Sequence, residues 1–237
     1  MKRLDKILSD AGVAGRRELK NIIRSGRVEV NGRVVTSPDG KFDETAVTIT
    51  LDGVNVAAES LYYYMMDKPA GVVTATEDRD QETVLDLLPP ELRRQGVFPV
   101  GRLDKDTTGL LLLTNDGDWA HQIISPKSHV EKRYMAEVDG IPDEADVRAF
   151  AEGIELRDGT KCMPAELEIT GTSVCYVTLK EGKYHQVKRM LASRGKPVQS
   201  LRRLSIGGLA LGNSVSSGGF RPLTPEERSK ALEEKDL

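Results

Sequence analysis

The chain has 237 residues, of which 38% are hydrophobic and 30% charged, with a formal net charge of −3. That length suits one large domain, or a large domain with a small appendage. No apolar run is long enough to span a bilayer, the charged opening MKRLDKILSDAG lacks the apolar core of a secretion signal, and two cysteines, Cys162 and Cys175, make no disulfide framework. With no CxxC pair and three histidines, no structural zinc site is expected, and the thiols read as reduced and cytosolic.

The charge is unevenly spread. Residues 1–33 hold nine Lys or Arg against four acids, a local +5, and residues 180–203 hold eight against Glu181 alone, a local +7. Phosphates are met locally, so such clusters point to a nucleic-acid partner more strongly than a net −3 argues against one. Lys2, Arg3, Arg16, Arg17, Lys20, Arg24 and Arg27 are the candidate nucleic-acid contacts in the first segment, with Lys183 and Arg189 in the second. Two solvated faces are the competing reading.

Taken in chain order, Leu4, Ile7, Leu8 and Ala11 recur at helical spacing, with Gly12 as a left-handed cap. A second helix is predicted from Arg16 to Ser25, ended by Gly26. RVEVNGRVV then alternates about Asn31-Gly32, a strong hairpin signal. This ααββ module buries little surface and reads as an accessory, residues 1–58, tethered through AVTITLDGVNVAAES to a main domain, residues 59–237.

In the main domain LYYYMM and GVVTAT read as strands around a turn at Lys68–Gly71, and TVLDLL as a short helix stopped by Pro89-Pro90. Leu110–Thr114 is an apolar strand buried on both faces. Asp118 is the expected cap of a helix DWAHQII that halts at Ser125-Pro126. KRYMAEVDG reads as a strand, DEADVRAFAEG as a helix ended by Gly153, IELRDGTKC as a hairpin about Asp158-Gly159, and SVCYVTL as a strand. HQVKRMLASRG is a helix, and TPEE at Thr224–Glu227 opens a last one with Thr at the cap and Pro at the first position. The class is α+β, dominated by antiparallel hairpins.

GRLDKDTTGLLLLTNDG, residues 101–117, crowds Arg102, Asp104 and Asp106 ahead of an apolar run. In an extended segment these three project to one side. An arginine beside a carboxylate keeps it ionised and oriented, which suits a nucleophile or a base rather than a general acid. Asp106 with Thr107, Thr108 and Gly109 reads equally as a turn. A metal cage from Asp104, Asp106, Asp116 and Asp118 is the weaker alternative, because the calcium-loop pattern is missing. A surface salt bridge without function is the third. In the helix after KEGKY, His185, Lys188, Arg189 and Ala192 share one face, while Val187, Met190 and Leu191 form the apolar stripe. His185 has no partner at metal-ligand spacing and reads as a structural hydrogen-bonding residue. Tyr134, with Lys132 on the same side of its strand, has the make-up of a nucleobase platform or of ordinary core.

Together these stretches resemble one family. GRLDKDTTGLLLLTNDG is similar to the signature of RsuA-type pseudouridine synthases, which act on ribosomal RNA. DKPAGVVT resembles the family's first motif, EKRYMAEVDG its lysine-x-tyrosine motif, and EGKYHQVKRMLASRGKPVQSLRRLSIGGL its third. The N-terminal module is similar to the small RNA-binding domain of a ribosomal small-subunit protein. The resemblance implies a mixed, mainly antiparallel sheet with a central cleft, and neither metal nor organic cofactor. It assigns catalysis to Asp104, stacking on the target uracil to Tyr134, pairing with the catalytic carboxylate to Lys188, and extrusion of the uridine to Arg102. Asp106 and Thr107 then shape the catalytic loop. IISPKSHVEKRY and LKEGKYHQVKRM resemble the members that modify small-subunit 16S rRNA; members acting on 23S rRNA share the chemistry. The implied partner is ribosomal RNA, naked or in a partly assembled small subunit, met by a cytoplasmic monomer with no membrane contact. A non-catalytic rRNA-binding assembly factor and a metal-dependent phosphohydrolase are the rival classes. The first has no need of Asp104, Tyr134 and Lys188 together, and the second predicts loss of activity in a strong chelator.

Overall fold

The computed structural model describes residues 1–11, 13–44, 46–56 and 61–233, and of Arg16 the backbone alone. The expected cap Gly12 and the expected boundary at 58/59 lie outside the described residues. The chain divides into two compact units, Met1–Leu61 and Tyr62–Leu237.

In the first unit Leu4, Ile7 and Leu8 of α1 (Leu4–Asp10) meet Leu19 and Ile23 of α2 (Arg16–Arg24), as the helical spacing requires. Strand β1 (Lys2–Arg3) pairs with β4 (Lys41–Phe42). β2 (Val28–Val30) and β3 (Arg33–Val34) form the expected hairpin, with Asn31 and Gly32 at φ of 51° and 75°. Positive φ at both central residues is what a tight turn matching strand twist demands. A lone hairpin is marginal in water. Here it is extended by β5 (Ile49–Leu51) and β6 (Val54–Asn55) into a four-stranded sheet, and Ile49 joins Val28 and Val30 against the helices.

The second unit contains β7 (Tyr63–Lys68), α3 (Pro90–Arg93), β8 (Phe98–Pro99), β9 (Thr108–Thr114), α4 (Gly117–Ile124), β10 (Lys132–Val138), α5 (Glu144–Glu152), β11 (Glu166–Ile169), β12 (Val174–Leu179), α6 (Gln186–Ser193), β13 (Val198–Ile206), β14 (Leu209–Ala210), β15 (Phe220–Pro222) and α7 (Pro225–Lys230). Its sheet runs β11-β12-β10-β13-β9-β7-β15, with β14 on β13 and β8 on β9. β9 is buried on both faces: Leu110 and Leu112 pack on the α4 side, Leu111 and Leu113 on the other.

Every pairing in this sheet is antiparallel save one. β13 and β9 run parallel and meet at two residue pairs, Arg202 with Thr108 and Arg203 with Gly109. Gly109 has φ of 99°, and a Cβ there would stand 2.2 Å from the Arg203 carbonyl oxygen. Only glycine allows the two backbones to approach so closely. On one side of this narrow junction α5 and α6 cover β10–β13 around Phe150, Cys175 and Met190.

Several local expectations are corrected. GVVTAT is not a strand, because β9 and β15 already occupy both edges of β7; Val72 is buried instead, and Val73 makes one isolated bridge to Thr83. TVLDLL is a run of turns in which Asp86 accepts hydrogen bonds from Thr83, and Pro90 starts α3 rather than stopping a helix. Asp116, not Asp118, caps α4, accepting from the Asp118 and Trp119 amides. The hairpin about Asp158-Gly159 reduces to a single bridge, Glu155 with Lys161. The nine-residue β13 has no counterpart among the expected strands: VQSLRRLSI carries two adjacent polar pairs, Gln199-Ser200 and Arg202-Arg203, that interrupt strand alternation. The capping boxes at Asp143 and Thr224 and the ends at Gly153 and Ser125 follow the local signals.

Candidate active site

The loop that enters β9 carries Asp104. It is not extended: Lys105 and Asp106 form a turn, closed by the Thr107 amide donating to the Asp104 carbonyl at 3.1 Å. The loop is clamped from below by the DKPAG segment. The buried Lys68 ammonium donates to the carbonyls of Pro69 (2.9 Å), Lys105 (3.2 Å) and Thr107 (2.9 Å). The Gly71 amide donates to the Lys105 carbonyl, and the Thr74 hydroxyl donates to the Leu103 carbonyl while accepting from the Leu103 amide. Burial pulls Lys68 down to about 8, against the attraction of Asp106 and Asp104.

Above the loop stands the start of α6. Lys188 Nζ lies 3.0 Å from Asp104 Oδ2 and 2.6 Å from Asp106 Oδ1. His185 Nε2 lies 3.3 Å from Asp104 Oδ1, so each oxygen of Asp104 faces a different side chain. Burial alone would lower Lys188, but its hydrogen bonds to Asp106 and Asp104 outweigh that and raise it. The same ammonium holds Asp106 below the ordinary carboxylate range, first through the hydrogen bond. The Asp104 side chain is 27% exposed and that of Asp106 75%. Of the two carboxylates, only Asp104 is enclosed.

His185 is not part of the helical face expected for it. It is the N-cap of α6 in the left-handed region, φ 48°, a conformation uncommon for a residue with a Cβ. The turn before it is held by Glu181, whose buried carboxylate accepts from the Met163 amide, from Gln186 Nε2 at 2.7 Å and from the Lys183 ammonium. Sequence reading gave His185 only a structural hydrogen bond and Lys68 only a place in a turn, and assigned neither to the site. Helical spacing placed His185 beside Lys188 but did not show that it would face Asp104, and Lys68 stood out only as part of the DKPAGVVT motif.

Asp104, Arg102, Tyr134 and His185 line one cleft. Its larger part encloses about 610 Å³ and is bounded by Thr74, Ile124 and Tyr184 as well. Tyr134, on β10, packs against the cores on both sides of the β13–β9 junction and so sits over the middle of the sheet. Arg102 is exposed at the cleft and forms no ion pair among the described residues. It is therefore not the cation that fixes Asp104; Lys188 is. Lys132 also faces the cleft, yet its ammonium is spent on the carbonyls of Ile123 (3.0 Å) and Val130 (2.6 Å) and offers no free cation beside Tyr134.

The local +7 of residues 180–203 disperses on folding. Arg189 pairs with Asp158 (2.5 Å), Arg194 and Lys196 with Asp146, Arg202 with Asp67, Lys180 with Glu131 and Lys183 with Glu181, while Arg203 is buried and donates to the Leu110 carbonyl. Lys183 and Arg189, expected to meet phosphate, thus each have an ion-pair partner within the protein. In the first unit Lys2 pairs with Glu44, Arg3 with Asp5 and Arg27 with Asp52. Arg17, Lys20 and Arg24 are exposed along one side of α2 without an ion-pair partner among the described residues. The side chain of Arg16 lies outside the description.

An ionised carboxylate, oriented at both oxygens and enclosed beside an aromatic ring, can take a proton or attack an electrophilic carbon. Among the described residues no group of three or more His, Cys, Asp or Glu is placed to hold a metal ion. No helix among them is long and apolar enough to cross a membrane.

Comparison with known proteins adds the following. Residues 62–193 match the family described as RNA pseudouridylate synthase, and residues 2–44 match the S4 domain. The ribosomal small subunit pseudouridine synthase A of Vibrio cholerae is 42% identical over 227 residues, covering 95% of this chain and 97% of its own. The ribosomal large subunit pseudouridine synthase B of Bacillus subtilis is 38% identical over 241 residues, covering 98% and 97%. A crystal structure of a pseudouridylate synthase aligns with a TM-score of 0.71 at 37% identity, covering 98% of this chain and 100% of that one.

Proposed function

The chain belongs to the RNA pseudouridylate synthase family, with an S4 domain ahead of the catalytic unit, and from that premise we propose that it isomerises one uridine of small-subunit 16S rRNA with Asp104 as the catalytic group. The enzyme is an RNA pseudouridine synthase, an isomerase. The N-glycosidic bond of uridine breaks, the uracil turns, and the base rejoins the sugar through carbon five. The proton displaced from carbon five is balanced by the one gained at the freed nitrogen, so nothing enters or leaves.

The observation that carries the assignment to Asp104 is the position of its carboxylate, between Lys188 and His185, in the cleft that Tyr134 also lines. In this reading Asp104 removes a proton from the ribose and later returns it; attack on the base is the alternative use of the same oxygen. Lys188 keeps the carboxylate charged once RNA excludes water. Tyr134 stacks on the extruded uracil, which offsets the few kcal/mol needed to unstack it. Arg102, which has no ion-pair partner among the described residues, meets the displaced backbone. The S4 unit anchors surrounding rRNA through Arg17, Lys20 and Arg24. The substrate is ribosomal RNA itself, and the enzyme works as a cytoplasmic monomer.

The 16S target rests on the wording of the motifs and on the small-subunit name of the Vibrio cholerae relative. The large-subunit name of the Bacillus subtilis relative supports 23S rRNA as the second reading. Mapping pseudouridine in both rRNAs from cells with and without the gene decides between them. Loss of a single 16S modification supports the first, loss from 23S alone supports the second, and unchanged maps contradict both.

A further inference from the structure

Tyr184 is 75% exposed, the largest exposure among the aromatic side chains that border the cleft. Such a ring at a surface ordinarily finds a polar partner for its hydroxyl or folds against apolar neighbours. Here neither holds: among the described residues the hydroxyl makes no hydrogen bond, and the ring lies flat on His185, centroids 3.8 Å apart and planes 20° apart. The left-handed conformation of His185 and the Glu181–Gln186 bond fix that turn. The outer face of the ring is therefore presented on a rigid support. Tyr184 borders the larger part of the cleft, and Tyr134 and Asp104 line that part as well as the smaller one. Ile124, 48% exposed, and Arg102, which has no ion-pair partner among the described residues, line the same part of the cleft.

We propose that Tyr184 is a second base platform, stacking a nucleotide adjacent to the target uridine, and that it contributes substrate binding rather than chemistry. The occupant is an RNA base because the surface is one flat π-face in the cleft that takes the uridine, and the same cleft is lined by the Arg102 guanidinium, without an ion-pair partner among the described residues and suited to the connecting phosphate. Extruding the target strips its neighbour of a stacking partner, and the Tyr184 ring replaces it. This inference rests on the proposed activity, and its test separates the two.

The probes are an RNA fragment carrying the mapped uridine and two further fragments with an abasic residue on its 5′ or 3′ side. Each is turned over by wild type, Tyr184→Ala and Tyr184→Phe. With intact RNA, Tyr184→Ala raises the half-saturating RNA concentration about tenfold, with kcat within about twofold of wild type, and Tyr184→Phe behaves as wild type. One abasic fragment imposes the same loss on wild type and no further loss on Tyr184→Ala, as expected when two changes remove one contact. The inference is overturned by additive losses, by an unaffected Tyr184→Ala, or by a loss confined to kcat, which would mean that the ring merely steadies His185. If wild type makes no pseudouridine in any fragment, the proposed activity falls and the inference with it.

Discussion

Lys188 Nζ stands 3.0 Å from Asp104 Oδ2, so a carboxylate on the loop before β9 and its countercharge on α6 come together only when the two sides of the sheet join. The same ammonium lies nearer still to Asp106, at 2.6 Å. Two acids thus share one cation, and their exposure separates them.

Asp104→Asn is expected to lower pseudouridine formation by about 1,000-fold or more, the upper range for removing a positioned base, while RNA affinity stays within a few-fold. Asp106→Asn, which removes an exposed partner, should change turnover by less than about fivefold. Single-turnover assays on the mapped RNA measure both. Equal losses in the two variants would assign the chemistry wrongly.

Lys68 supports the catalytic loop through three carbonyls. Lys68→Met leaves those acceptors unpaired and should destabilise the protein by about 2–4 kcal/mol, with a parallel fall in kcat. The lysine also leaves a pH signature. Its folded value, about 8, is below the unfolded one of 10.5, so between these values the unfolded chain binds more protons. Wild-type stability should therefore rise relative to Lys68→Met as pH climbs from 8 towards 10.5. Urea midpoints across that range test the linkage, and parallel curves for the two proteins would contradict it.

Gly109→Ala places a methyl 2.2 Å from the Arg203 carbonyl oxygen at a φ of 99°. The strands cannot separate without losing their two-pair junction, so a cost of about 3 kcal/mol or more is expected. Thermal unfolding gives the number. Gly71→Ala shares the positive φ but meets no atom within 4 Å, and should cost about 1 kcal/mol.

Replacing Arg17, Lys20 and Arg24 of α2 by alanine should weaken binding to rRNA fragments and flatten the dependence of log K on log salt by roughly 2 to 3. Replacing Arg189, whose charge is already met by Asp158, should leave that slope nearly unchanged. Salt titrations of both variants compare them directly, and an equal flattening would mean that the Asp158 pair opens to RNA.

Local signals in the sequence determined much of this protein. Leu4, Ile7 and Leu8, the Asn31-Gly32 turn, the Asp143 and Thr224 caps and the apolar run at Leu110–Leu113 each depend on atoms within a few residues, so spacing alone reveals them. The motifs around Asp104, Tyr134 and Lys188 carried the family resemblance in the same way. What only the tertiary structure decided is which charges meet. Arg102 and Asp104 are near in sequence yet do not pair, whereas Lys188 reaches Asp104, and Arg189, Arg194 and Arg202 each find an acid remote in sequence. A Coulomb interaction falls with distance through space, not along the chain, and no pattern of neighbouring letters holds that distance before the sheet has closed.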